Sequence, residues 1–245
     1  MKDDLGKRMK EKFEGRSQTY LSRRCPAIIR VDGKAFHTLV KTWKCVKPFD
    51  SNLMQVMDET ATYMCQNIMG AVMAYVQSDE ISILLSDYTK ITTDAWFDYN
   101  VQKMTSVSAS LATLAFNIYG QKFKYEKALF DSRVFSIPDK VEVENYFVWR
   151  MKDAERNSIQ SVAQSLYTQK ELLGKKTPDL NEMIWKKGQN WNNFTSGEKR
   201  GRVIIKKQYV SEEGKTIRGW EVLKDTPMFS KDKSFLRQVI PELGY

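Results

Sequence analysis

The sequence predicts an α+β fold whose core has the ferredoxin-like order β-α-β-β-α-β, followed by a helical and β-hairpin extension. Short β-branched runs such as AIIRV are bounded by turn-forming residues, as strands are. Two longer stretches carry apolar residues at helical spacing, one after the first run and one after the third. This alternation is typical of a split βαβ sheet, in which the first and second strands are parallel.

The predicted core ends at Pro138. Apolar periodicity, helix caps and turn-forming residues define its elements. In chain order they are a strand over 27–31, a helix capped by Asp50 or Ser51 that ends at Gly70, strands over 71–77 and 81–85, a helix over roughly 95–115, and a strand over 133–137.

The pattern changes after Pro138, so we predict a core domain over 1–138 and a C-terminal extension over 139–245 that packs on it. The extension is expected to contain helices, a loop and a basic β-hairpin. Its predicted elements are helical structure over 141–173, a shorter helix after Pro178, a loop over 188–202, and a hairpin that turns at Glu213-Gly214.

Composition indicates a globular protein, and its positive charge favours an anionic partner, with charge that serves solubility alone as the alternative. The 245 residues carry a formal net charge of +9, which favours RNA, DNA or a nucleotide as partner. No apolar run is long enough to cross a bilayer, so no membrane contact is expected. An odd number of cysteines without a CxxC pair favours a reduced, cytoplasmic protein.

An acidic turn, Ser78-Asp79-Glu80, separates two of the most apolar runs. Because the first two strands of this fold end at the same edge, Asp32 should lie beside that turn. Carboxylates so close repel each other unless they share a proton or a cation, and Mg²⁺ is the cation that suits hard oxygen ligands. Each acid alone is also an ordinary turn residue. Their convergence is what indicates a phosphoryl-transfer site, with two ions expected.

The segment GKAFHTLVKTWKCVKPFD follows Asp32 and is too long for a tight turn. Gly33 permits close approach of the backbone, and successive amides here are suited to hold a triphosphate. The spacing is not that of a P-loop. His37 is the one histidine in the chain, and nothing in the sequence supports a hydrolase that works by nucleophilic catalysis.

Several motifs together resemble the tRNA(His) guanylyltransferase superfamily, whose members add nucleotides in the 3′-to-5′ direction. The similarity covers roughly residues 5–210. The motifs that carry it are RVDGKAFHTLV (30–40), KPFDSNL (47–53), YVQSDEISILL (75–85), SVSASLATLAFN (106–117), FDSRVFSIP (130–138) and YFVWRMKDAERNS (146–158).

The resemblance implies a polymerase-palm-like core and assigns roles to individual residues. The implied catalytic acids are Asp32, Asp79 and Glu80, and the implied metal ligands are Asp32, Asp79 and the backbone carbonyl of Gly33. The implied nucleotide-binding residues are Asp32, Gly33, Lys34, Ala35, Phe36, His37, Lys47, Ser78, Asp79 and Lys103.

The implied reaction activates a tRNA 5′-end with ATP or GTP and then adds nucleotides to it. Enzymes specific for tRNA(His) carry His-Ile-Asn-Asn after the Trp-Arg pair, whereas this chain has Glu155-Arg156-Asn157-Ser158. The lost histidine favours the branch that repairs 5′-truncated tRNA by templated addition. Addition of G at position −1 of tRNA(His) is the alternative, and the same residues are also compatible with a plain solvated helix.

Basic residues near Trp185, Trp191 and Phe194 suggest a surface for tRNA, although such residues often form only a solvated face. The residues expected to contact RNA are Arg150, Asn157, Lys199, Arg200 and Arg202. A homodimer or homotetramer is expected from the family. Two rivals stay open, a nucleotide cyclase with a related carboxylate site and a non-catalytic RNA-binding protein.

Overall fold

The computed structural model describes residues 4–122, 127–210 and 215–244. The strands of this part are β1 Ala27–Gly33, β2 Ala71–Gln77, β3 Glu80–Leu85, β4 Phe130–Ser136, β5 Arg202–Val210 and β6 Thr216–Val222. The helices are α1 Leu5–Lys12, α2 Phe36–Thr42, α3 Ser51–Asn67, α4 Val101–Tyr119, α5 Lys140–Leu166, α6 Gln169–Leu172, α7 Thr177–Lys186, α8 Ser196–Arg200 and α9 Ser234–Val239.

The strands form one antiparallel sheet in the order β4-β1-β3-β2-β5-β6. Its first four strands have the ferredoxin-like arrangement, which confirms the predicted α+β class. β3 lies between β1 and β2 and is antiparallel to both, so β1 and β2 are parallel to each other as expected. Because β5 pairs with β2, the sheet continues past residue 138. The division into two domains at that residue stays a prediction.

Apolar side chains pack on both faces of this sheet. Ile29 and Val31 of β1 face α3 and α4, and both are fully buried. Ile28 of the same strand and Tyr75 of β2 face the other layer, which contains Phe147 of α5. Successive residues of a strand point to opposite faces, so β1 anchors both layers at once. This packing fixes the end of β1, where Asp32 lies.

The predicted helix start at Asp50 is confirmed. One carboxylate oxygen of Asp50 accepts hydrogen bonds from the amides of Asn52 and Leu53 at 2.9 and 3.0 Å, and the other accepts from Val46 at 2.8 Å. An aspartate at this position satisfies amides that have no partner inside the helix. The loop before α3 is thereby held against the helix that follows it.

The predicted loop over 188–202 was wrong, because it contains α8 and a short 3₁₀ turn at Trp191–Asn193. Thr195 and Glu198 form a capping box at the start of α8, in which the Glu198 carboxylate accepts from the Thr195 amide at 2.8 Å. A threonine followed three residues later by a glutamate is the sequence signature of such a box. The abundance of Asn, Gly and Lys around it concealed that signal.

Other boundaries differ from the prediction by a few residues. The helix expected over 95–115 begins at Val101, where Asn100 caps it by accepting the Lys103 amide at 3.0 Å. The helical stretch over 141–173 is interrupted at Tyr167, which is extended, and α6 restarts with its own capping box. Both strands of the C-terminal hairpin are confirmed, whereas its turn at Glu213-Gly214 lies outside the described residues. Within the described ranges, no helix is long and apolar enough to span a membrane.

Candidate active site

A two-residue turn, Ser78-Asp79, joins β2 to β3 at the edge where β1 also ends. The backbone φ of Ser78 is +47°, a left-handed conformation that residues with a side chain adopt rarely. The Gly33 amide donates to the backbone carbonyl of Asp79 at 3.1 Å, and Asp32 lies opposite Glu80 in the register of β1 with β3. The structure therefore brings Asp32, Gly33 and Asp79 together, as the topology predicted.

The Asp79 carboxylate lies in an environment that disfavours its negative charge. Burial raises the pKa of Asp79 to about 6, a hydrogen bond from Ser78 opposes the rise, and the nearby charges of Asp32 and Glu80 add to it. The Asp32 side chain is 39% exposed, and one of its oxygens lies 3.9 Å from the Arg133 guanidinium. Two close carboxylates that remain largely uncompensated create a negative potential suited to a cation.

These donors fit Mg²⁺. The two aspartate carboxylates and the carbonyl of Gly33 are hard oxygen ligands, and Mg²⁺ usually completes its shell with waters and substrate phosphates. In the part of the chain that the structure describes, no group of three or more His, Cys, Asp or Glu is arranged to hold a metal. The chain thus supplies two carboxylates here and leaves room for a nucleotide among the ligands. The number of ions stays a prediction.

Glu80 does not join this pair. Its two oxygens accept from the Nε and Nη2 of Arg150 at 2.8 and 2.7 Å, and the Glu80 residue is only 8% exposed. Gln77 donates to the same carboxylate at 3.2 Å. This bidentate pair ties the start of β3 to α5. A catalytic role for Glu80 stays a prediction, and its contacts make that role an indirect one.

The segment after Asp32, in which no helix was predicted, contains α2. A side chain at Gly33 would have its Cβ 2.1 Å from the Phe36 ring, so only glycine fits this position. Ala35 has a φ of +54° and turns the chain into the helix. Phe36 is buried, whereas Lys34, Ala35 and His37 are exposed. The first amides of a helix have no acceptor within it, which leaves them available to an anion.

A cleft of about 320 Å³ opens beside the acidic turn. His37 and the residues around Pro48 form one wall, and the residues of α5 that face it, Asn157 among them, form another. Of the residues predicted for the site, those that line the cleft are Phe36, His37, Ser78, Asp79, Asn157 and Arg202. Ser158 and Ser161, which sequence reasoning missed, line it too.

Six residues predicted to bind the nucleotide are not among those that line this cleft: Asp32, Gly33, Lys34, Ala35, Lys47 and Lys103. Lys47 is exposed on the loop before α3. Lys103 lies in the first turn of α4, with its ammonium 5.9 Å from the Phe97 ring. Asn100, which caps α4, forms an antiparallel β-bridge with Tyr20, and Tyr20 precedes the first residue of β1. Asp32, in contrast, lies near the last residue of β1. Lys103 is therefore toward the opposite end of the sheet from the acidic turn.

The cations predicted to contact RNA are engaged within the protein. Lys199 is 8% exposed, and its ammonium donates to the Asn192 carbonyl at 2.6 Å. Ion pairs of 3.0, 2.6 and 2.7 Å join Arg200 to Glu155, Arg202 to Asp58 and Arg150 to Glu80. These contacts hold α5, α8 and α3 in place around the cleft. Their contact with RNA stays a prediction.

Two arginines near the acidic turn were missed. Arg30 lies two residues before Asp32, so strand alternation places both side chains on one face of β1. Its Nε is 4.0 Å from the Glu80 carboxylate, and Arg133 approaches Asp32 from β4. The period-2 pattern of the RVDG stretch was the signal that would have found Arg30. To predict that Arg133 lies near Asp32, one would have needed to know that β1 pairs with β4.

Paired carboxylates beside a cleft, at the end of the first strand of this sheet, are the arrangement expected of a nucleotidyltransferase. A family model described as tRNAHis guanylyltransferase matches residues 6–138. This is more than half of the 245 residues, and the chain belongs to that family. The resemblance seen in the sequence motifs is thereby confirmed.

Solved structures and curated relatives agree. A bacterial tRNA(His) guanylyltransferase-like protein in complex with ATP is 42% identical, with a TM-score of 0.87 over 98% of this chain and 100% of that one. Such a protein in complex with GTP is 41% identical, with a TM-score of 0.84 over 97% of this chain and 99% of that one. A probable tRNA(His) guanylyltransferase of Drosophila melanogaster is 29% identical over 201 residues, 76% of this chain and 68% of the relative.

Proposed function

We propose that this protein is a Mg²⁺-dependent 3′-to-5′ nucleotidyltransferase that repairs 5′-truncated tRNA by templated addition. The observation that carries the proposal is the convergence of Asp32 with Asp79, which lines the cleft, in a setting that raises the pKa of Asp79 to about 6. Family membership supports nucleotidyl transfer to tRNA. The ATP and GTP complexes of the bacterial relatives support these triphosphates as substrates.

The proposed reaction has two displacements at phosphorus. An oxygen of the RNA 5′-phosphate attacks the α-phosphorus of ATP or GTP, and pyrophosphate leaves. The 3′-hydroxyl of the incoming nucleotide then attacks the activated 5′-phosphorus, and the nucleoside monophosphate leaves. Negative charge gathers on phosphoryl oxygens in both steps. Mg²⁺ held by Asp32, Asp79 and the Gly33 carbonyl supplies the compensating positive charge.

The chain's own groups position the nucleotide. The amides of Phe36 and His37 precede the first backbone hydrogen bond of α2, which Thr38 donates to the Ala35 carbonyl, and Lys34 adds an exposed cation beside them. His37 and Ser78 line the cleft next to Asp79. We therefore place the triphosphate along the turn from Gly33 to His37, and the sugar and base in the cleft against Asn157.

The residue at the family's histidine position favours repair over obligate G addition. Glu155 occupies that position, and its carboxylate accepts from Arg200 at 3.0 Å. This ion pair joins α5 to α8, so the position serves the packing of the cleft wall. Addition of G at position −1 of tRNA(His) is the second candidate, and the names of the curated relatives favour it.

The test uses two RNAs with 5′-monophosphates, a tRNA that lacks its first nucleotide and a full-length tRNA(His). Each is incubated with Mg²⁺, ATP and all four nucleoside triphosphates, and products are sized on a sequencing gel. Repair predicts extension of the truncated RNA up to full pairing. Asp79→Asn should abolish extension, whereas Asp94→Asn, a change at an exposed aspartate between β3 and α4, should leave it intact.

Two results would contradict the proposal. Addition only to full-length tRNA(His) would establish the second candidate. RNA binding without extension of either substrate would establish a non-catalytic binding protein.

The assembly and cellular location belong to the same proposal. By resemblance we place the enzyme in the cytoplasm as a homodimer or homotetramer. Sedimentation velocity would report the assembly, and a monomer at micromolar concentration would contradict it.

A further inference from the structure

Helix α7 contains an aromatic residue that is not buried where the helix packs against α5. Leu180 and Ile184 of α7 are buried against Ile159 and Val162 of α5. Trp185 follows Ile184 directly and is 67% exposed. A tryptophan left in water keeps a large apolar surface that its own fold does not bury, and its ring is available for a contact outside the chain.

Exposed lysines lie at both ends of α7, and two of them follow Trp185 directly. We call this surface the α7 face and define it as Trp185 with the exposed lysines Lys175, Lys176, Lys186 and Lys187. The two acids within this stretch, at 179 and 182, leave a net positive charge. Asp179 already accepts from the Lys176 amide at 2.9 Å, as part of the helix cap. The face is thus complementary to a polyanion.

This composition fits RNA better than a protein. Lysine is depleted at protein–protein interfaces, whereas single-stranded RNA is held by cations along its backbone and by aromatic rings that stack on its bases. The position of α7 agrees with that. Ser158 and Ser161 of α5 line the cleft. The residues that follow each of them, Ile159 and Val162, pack against α7. Helix α5 therefore lines the cleft with some of its residues and packs against α7 with others.

We propose that Trp185 stacks on an unpaired base of the RNA strand opposite the 5′-end that is extended, with Lys186 and Lys187 on its phosphates. The inference rests on the proposed function, because a tRNA that lacks 5′ nucleotides leaves the facing bases unpaired. A stacking ring accepts any base, which suits a template strand whose sequence differs between tRNAs.

The experiment compares two RNA hairpins with the same duplex and a 5′-monophosphate, one with a single-stranded 3′ extension and one blunt. Dissociation constants are measured by fluorescence anisotropy at a fixed salt concentration. Trp185→Ala should weaken binding of the extended hairpin on the order of 10-fold and change binding of the blunt hairpin little. Trp185→Phe, which keeps a ring, should retain most of the affinity. In a salt titration, replacing Lys186 and Lys187 by Gln should reduce the log–log slope by about 0.7 for each phosphate that the protein no longer neutralises.

Two results would overturn the inference. In the first, Trp185→Ala binds both hairpins as the wild type does. In the second, Trp185→Ala weakens both equally and changes the sedimentation coefficient, which would make the α7 face a contact between subunits. Nucleotide addition to the extended hairpin is assayed in parallel. Binding that depends on Trp185 without addition would defeat the proposed function alone, and addition with no dependence on Trp185 would defeat this inference alone.

Discussion

Replacing Asp79 with asparagine should make the ligand-free protein more stable, although it removes a proposed metal ligand. Burial raises the pKa of Asp79 from 3.8 to about 6. An acid whose pKa is higher in the folded than in the unfolded state binds its proton more tightly when folded. The ionised carboxylate therefore destabilises the fold above pH 6, and this cost disappears below about pH 4, where both states are protonated.

The size of the effect follows from the shift. Two pKa units correspond to about 3 kcal/mol, because each unit is worth about 1.4 kcal/mol. The Asp79 residue is only partly buried, so solvent screening reduces the expected gain to about 1–3 kcal/mol at pH 8. At pH 4.5 about a third of this increase in the free energy of unfolding should remain. In a chain of this length, each kcal/mol raises the melting temperature by about 2–4 °C.

The assay is urea or thermal unfolding of Asp79→Asn and the wild type at pH 8 and pH 4.5, without metal or nucleotide. Asp94→Asn removes the same charge from an exposed position and should shift stability by less than about 0.5 kcal/mol. Added Mg²⁺ and ATP should stabilise the wild type but not Asp79→Asn. An asparagine variant that is less stable at pH 8, or a gain that does not depend on pH, would refute the reasoning.

Three further changes test the packing around the site. Arg150→Met leaves the buried Glu80 carboxylate without its bidentate partner and should cost about 3–5 kcal/mol in urea unfolding; a loss below about 1 kcal/mol would contradict the burial of that pair. Gly33→Ala forces a Cβ into the ring of Phe36 and should weaken ATP binding at least 10-fold by calorimetry, at about 1.4 kcal/mol per tenfold, and unchanged affinity would count against the geometry. Asp50→Ala removes the cap of α3 and should lower stability by about 1–2 kcal/mol, unlike Asp50→Asn, which keeps a capping oxygen.

The core sheet and its acidic edge were predictable from the sequence. Strand-length β-branched runs alternate with helical periodicity, and that order allows few topologies. Once the first two strands are taken as parallel, Asp32 and Asp79 must meet at one edge. This prediction required no interatomic distances, because the order and direction of the strands determine at which end of the sheet each strand finishes.

Partners that are distant along the chain were not predictable. Arg202 pairs with Asp58 across 144 positions, and Arg150 pairs with Glu80 across 70. Periodicity describes which face a residue occupies, but the partner of a buried arginine is decided by how helices pack on the sheet. For that reason the basic residues were expected on an RNA surface, whereas the structure uses several of them to brace the cleft.

The ion pairs around the cleft distinguish the acids that stabilise the fold from the acid that is proposed to bind the metal. Glu80 forms an ion pair with Arg150 and Asp58 forms one with Arg202, so these two acids around the cleft are each paired with a guanidinium. Asp79 has no ion pair with any residue that the structure describes, and burial raises its pKa all the same. A protein that needed this carboxylate only for packing would gain stability by pairing or replacing it. The unpaired charge agrees with the proposal that a cation binds here together with the substrate.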